Sequence, residues 1–113
     1  ADRWLAARGV AIIKHPLSCV YFIEDVVRGA FKVGFTDNLD RRAREICSEL
    51  ETSGSRGRLI GCLPGGRKLE REWLDSASEC EANLGFEWCM KDPVLVSEIL
   101  VALEVDAEER AAA

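Results

Sequence analysis

The sequence has one histidine, His15, and its five cysteines (Cys19, Cys47, Cys62, Cys80 and Cys89) contain no Cys-x-x-Cys pair. A zinc site would need nearly all of them at unsuitable spacings, so none is expected. Four of the cysteines lie in apolar-periodic segments and read as buried free thiols. Long hydrophobic runs are also missing: the longest are short stretches such as "GVAII" and "VLV". That excludes a membrane-spanning helix and a membrane as partner. No segment joins a charged start to an apolar centre and a small-residue cleavage site, so a cytoplasmic location without disulfides is expected. There is no internal repeat and no low-complexity tract. Nor is there an excess of positive charge, since the net charge is −5. An obvious nucleic-acid binder would carry the opposite sign.

What is present describes one modest domain. The chain has 113 residues, 48% hydrophobic and 31% charged, which suits a folded globular chain with a single core. Charge is unevenly placed. Residues 1–72 carry 13 Lys/Arg against 10 Asp/Glu, while residues 73–113 carry two against ten. A basic working surface beside an acidic C-terminal region explains this, and so does an acidic helix that serves only solubility.

The pattern predicts an α+β fold: a three-stranded, mostly antiparallel sheet flanked by helices. "SCVYFIE" (18–24) and "GAFKVGFT" (29–36) are rich in β-branched and aromatic residues and pair naturally as a hairpin across "DVVRG". Thr36 or Asp37 then caps a helix over about 38–50, whose buried stripe is Leu39, Ala43, Ile46 and Leu50. "RLIGCLP" (58–64) is the third strand. A second helix over about 66–80 carries Leu69, Trp73, Leu74, Ala77 and Cys80. "NLGFEWCM" (83–90) reads as a turn and a short extended piece. Asp92-Pro93 opens a third helix to about 104, with Leu95, Ile99, Leu100 and Leu103 apolar. Residues 2–8 suit one or two helical turns, and 9–16 a connector with an edge strand. The domains expected are an N-terminal extension over 1–17, the folded unit over 18–104 and a flexible tail over 105–113.

Two charges sit awkwardly. Arg42 lies between Leu39 and Ile46 at the border of the first helix's apolar stripe, and Glu70 has Trp73, Leu74 and Ala77 as helical neighbours. Ionised groups beside a core are costly unless paired or bound to a ligand. Arg42 and Glu70 pairing with each other or with loops would satisfy that, and so would a binding site.

The ordered set of these residues is what marks the chain. "CVY" ending at Tyr21, "KVGFT" beginning at Lys32, an arginine eight residues after Gly34, and "GGRKLERE" with Glu70 together resemble the GIY-YIG nuclease superfamily. The match is to the subgroup with K-[IV]-G-x-T in place of Y-[IV]-G, and it spans residues 18–90. The resemblance implies a catalytic set of Tyr21, Lys32, Arg42 and Glu70, with Glu70 as the metal-binding carboxylate for Mg²⁺ or Mn²⁺. It implies endonuclease action on DNA. Arg42 would grip phosphate oxygens through its planar fork. Tyr21 would orient or deprotonate a water, and for its phenol pKa to drop it would need nearby positive charge, which Lys32 and the metal could supply.

The chain also departs from that pattern. The subgroup has a histidine four residues after the glutamate, where Leu74 stands here. A phenylalanine further along is Ala77, and the "R-x-x-G-E-W-F" ending is "LGFEWCM", with Glu87-Trp88 kept and assigned to packing. A missing general acid or base lowers rates by about 10²–10⁴. Three readings follow: a weak Mg²⁺-dependent endonuclease; a degenerate nuclease fold serving as a binding or regulatory module, with a protein partner or homodimer; and an unrelated small α/β domain whose motifs coincide with the family's.

Overall fold

A computed structural model describes residues 18–85 and 87–112. The expected helix over 2–8, the strand within 9–16 and the extension as a whole lie outside the described residues. The element order is β1 (Cys19–Asp25), β2 (Ala30–Thr36), α1 (Leu39–Thr52), β3 (Gly57–Pro64), α2 (Arg67–Glu79), β4 (Asn83–Gly85), β5 (Trp88–Met90) and α3 (Pro93–Ala112).

The sheet has five strands in the order β3-β1-β2-β5-β4, with every neighbouring pair antiparallel. The three strands expected from sequence form its core, and β4 and β5 add a small hairpin. They escape a sequence reading because strands of three residues are too short to show an alternation. β1 lies between β3 and β2, and all seven of its residues are buried. Its alternating side chains feed two cores, one on each face. Cys19, Tyr21 and Ile23 pack under α1 with Ala43, Ile46, Cys47 and Leu50. Val20 and Phe22 pack on the other side with Ala77 of α2 and Leu95 and Ile99 of α3. There Phe22 meets Trp73 edge to face, 5.5 Å between ring centres.

β3 carries a bulge. Phe22 pairs with Gly61 but Ile23 with Leu59, so Ile60 is the extra residue. Gly61 beside it lets α3 pack closely, since a Cβ there would come within 2.8 Å of Leu103. The loops at one end of the sheet are tied by Asp25, a carboxylate only 2% exposed. It accepts hydrogen bonds from the Arg28 backbone and guanidinium, each 3.0 Å, and from the Ser55 hydroxyl. Burial alone would raise its pKa, but these bonds outweigh that and hold it below the usual aspartate value.

Four local expectations are corrected. The cap of α1 is Asn38, which accepts the Arg41 N–H, while Thr36 instead accepts from the Asn38 N–H. Leu100 is 53% exposed and not part of the buried stripe. The segment over 105–113, expected as a flexible tail, continues α3 to Ala112. Its alanines and glutamates are strong helix formers, and Arg110 bonds Asp106 at 2.7 Å one turn away. Finally, "NLGFEWCM" supplies the β4–β5 hairpin, not one extended piece. None of the five cysteines is in a disulfide; four are buried and Cys80 is half-buried. Asp92 caps α3 by accepting the Leu95 N–H, as its position before Pro93 predicts.

Candidate functional site

Tyr21 projects from β1 on the α1 side, fully buried and directly opposite Gly34 of β2. Only a glycine fits there: a methyl on residue 34 would overlap the phenol oxygen. The next N–H along β2, that of Phe35, donates to the Glu70 carboxylate. Tyr21 and Glu70 therefore reach β2 one residue apart, although α1 and α2 pack on opposite faces of the sheet.

Arg42 stands in the first turns of α1, where its backbone bonds Asn38. Its guanidinium donates to Glu45 at 3.2 Å and lies close enough to the Tyr21 oxygen to interact with it, with the side chain 37% exposed. The interaction with Tyr21 keeps it charged against the cost of partial burial. This accounts for an arginine bordering an apolar stripe. Among the described residues Arg42 and Glu70 form no ion pair, so the sequence alternative of mutual pairing does not hold.

Glu70, half-buried in the first turn of α2, has its carboxyl pushed above the usual range. Burial is the main cause and the charge of Glu87 the next, opposed by the Phe35 N–H and by Arg67 and Arg71. Tyr21 is also shifted upward. Burial dominates, Arg42 opposes it, and the carboxylates of Glu87 and Glu70 add to it. The lowered phenol expected from sequence is not what these side chains produce. Lys32 spends its charge elsewhere, in an ion pair with Glu87 at 3.5 Å and over the Trp88 ring at 5.4 Å.

Glu87 is the residue that sequence reasoning missed, having assigned it to packing. It sits between β4 and β5 at a positive φ of 69°. Its carbonyl takes the Val33 N–H at 2.9 Å, which fixes it beside Lys32. The Glu-Trp pair in "LGFEW" was the available signal. Leu74, by contrast, packs into the α2-side core with Trp73. The arrangement thus gathers Tyr21, Arg42, Glu70, Lys32 and Glu87 around one end of β2.

No group of three or more His, Cys, Asp and Glu side chains that could hold a metal occurs among the described residues. Glu70 and Glu87 nonetheless suit Mg²⁺, which takes one or two carboxylates and keeps several waters. They do not suit zinc. No family model, curated protein or solved structure matches the chain. Among the described residues no helix is long and apolar enough to cross a membrane.

Proposed function

We propose that the chain is a GIY-YIG-type endonuclease domain that hydrolyses DNA phosphodiester bonds with Mg²⁺ or Mn²⁺. One observation carries the reading: the Arg42 guanidinium lies against the Tyr21 phenol, which is also within reach of the charges of Glu70 and Glu87. Three of the residues singled out by their sequence order, Tyr21, Arg42 and Glu70, thus share one electrostatic environment with Glu87. A bound divalent ion would supply charge neutralisation at the scissile phosphate and support for the leaving oxygen. Glu70, with Glu87 near it, would hold that ion.

The chain's own residues do the rest. Arg42 has N–H groups beyond those used by Tyr21 and Glu45, and these would clamp a phosphate oxygen. Tyr21 keeps its proton at neutral pH as any phenol does, and burial raises its pKa further, so its hydroxyl orients a water and does not act as a resting base. Lys32, fixed by Glu87 and Trp88, lends positive charge to the approaching backbone.

A second reading is supported by Leu74, which packs in the core where the subgroup has a histidine. It is a nuclease fold retained as a binding module. The deciding test is cleavage of supercoiled plasmid with Mg²⁺ or Mn²⁺, using Arg42→Ala and Glu70→Ala as controls. Metal-dependent nicking lost in both variants supports the enzyme. Absence of nicking with salt-sensitive DNA binding supports the module, and absence of both removes the nucleic-acid reading.

A further inference from the structure

The opposite face of β1 carries a second site, independent of the nuclease reading. Glu24 lies on the α2–α3 side, since it follows Val20 and Phe22 in the strand alternation. Its carboxylate is 3% exposed, and such a group is costly unless paired. Arg58 of β3 bonds it at 2.7 Å and Lys91, just after β5, bonds its other oxygen. Both cationic side chains remain open to solvent, 68% and 42% exposed.

Against this triad lies a cavity of about 200 Å³. Its wall is Phe31, Ile60, Val96, Ile99 and Leu100. The bulge places Ile60 there, and exposed Leu100 stands at the mouth. Protein cores rarely leave voids larger than a water molecule. An apolar cavity of about 150 Å³ takes a benzene-sized guest, so this one has room for a body of about six to eight carbons.

The charge at the rim selects the ligand's head group. Among the described residues one carboxylate faces two cations, which leaves an excess of one positive charge. A cationic ligand would have to displace Arg58 or Lys91 from Glu24. An anion would add to their free donors and leave the Glu24 bonds intact: guanidinium has five N–H groups and ammonium three. We propose that this cavity binds a short amphipathic carboxylate, its chain against Phe31, Ile99 and Val96 and its head group on Lys91 and Arg58.

Titration with octanoate, followed by methyl resonances and calorimetry, tests this. Saturable binding with a Kd of about 1 mM or tighter is expected, as the size of the ligand allows. Val96, Ile99 and Leu100 methyls should shift. Octylamine and 1-octanol should each bind at least about tenfold more weakly, the cost of losing a charge-assisted contact. Val96→Phe should fill the cavity and abolish binding. Lys91→Gln, which leaves Arg58 on Glu24, should weaken octanoate severalfold without changing 1-octanol, and it keeps the test open if Val96→Phe does not fold. Equal binding of octanoate and octylamine, shifts confined to other methyls, or no saturation by about 20 mM in a protein with an intact melting transition would each overturn the proposal.

Discussion

Tyr21 lies over Gly34 across the β1–β2 hairpin with no space between the phenol and the glycine Cα for a methyl group. The two residues form one unit, and the glycine exists for the tyrosine. Gly34→Ala should therefore cost about 2–3 kcal/mol, at the upper end of overpacking penalties. Combining it with Tyr21→Leu, which removes the end of the ring, should cost less than the sum of the two single changes. Urea unfolding of the four proteins measures this coupling, expected at about 0.5–3 kcal/mol. Strict additivity would show that the close approach carries no energy.

Tyr21 is the only tyrosine in the chain, so absorbance reports its ionisation alone. Burial sets it above the ordinary value of 10. A raised pKa contributes stability that is complete below pH 10 and is lost as pH climbs through the folded-state value. Arg42→Ala should move the titration higher, because the hydrogen bond and charge that oppose the shift are removed. Glu87→Gln should move it lower. If Arg42→Ala leaves the midpoint unchanged, the Tyr21–Arg42 contact is not present in solution, and the proposed site loses its carrying observation.

Two carboxylates should show opposite acid behaviour. Asp25 is held below its ordinary 3.8, so its contribution is present above that pH and lost on acidification through the lower folded-state value. Asp25→Asn should cost about 1.5–3 kcal/mol at pH 7, the range for hydrogen bonds to a charged group. The penalty should shrink in acid. Glu70 is raised above 4.5, so its ionised form burdens the fold at neutral pH. Glu70→Gln should melt higher than the parent at pH 7 and match it below pH 4. Melting curves from pH 3 to 8 check both signs. On the nuclease reading, millimolar Mg²⁺ should raise the parent's Tm and leave Glu70→Gln unmoved.

The legible parts of this chain are those with long-range pattern. β1 and β2 declared themselves through β-branched and aromatic residues, and α1 through Ala43, Ile46 and Leu50, all buried as expected. Arg42 could be singled out because a charge interrupts that stripe. β4 and β5 were illegible because three residues carry no period, and their pairing is with each other and, through β5, with β2. The end of α3 was misread because its acidic composition resembles a tail, while a helix stabilised by Asp106–Arg110 looks the same one residue at a time. Glu87 was visible only as a neighbour of Trp88. Its role comes from a turn that aims it at Lys32, and turn geometry follows from the hairpin that the sequence did not disclose.

That turn gives the last prediction. Glu87 holds a φ of 69°, a left-handed conformation that costs a non-glycine residue about 1 kcal/mol. Its ion pair with Lys32, between side chains 13% and 41% exposed, returns about 0–1 kcal/mol. The two nearly cancel, so the residue is held in place without a gain in stability. Glu87→Gly should accordingly be as stable as the parent, or more stable by up to about 1 kcal/mol, because glycine adopts that φ freely. Plasmid nicking should nonetheless fall, since Lys32 loses its anchor and Glu70 its neighbouring carboxylate. Differential scanning calorimetry beside the cleavage assay separates the two effects. A loss of more than about 1 kcal/mol in Glu87→Gly would mean that Glu87 is there to hold the hairpin together. Unchanged stability with lower nicking makes Glu87 a working part of the site.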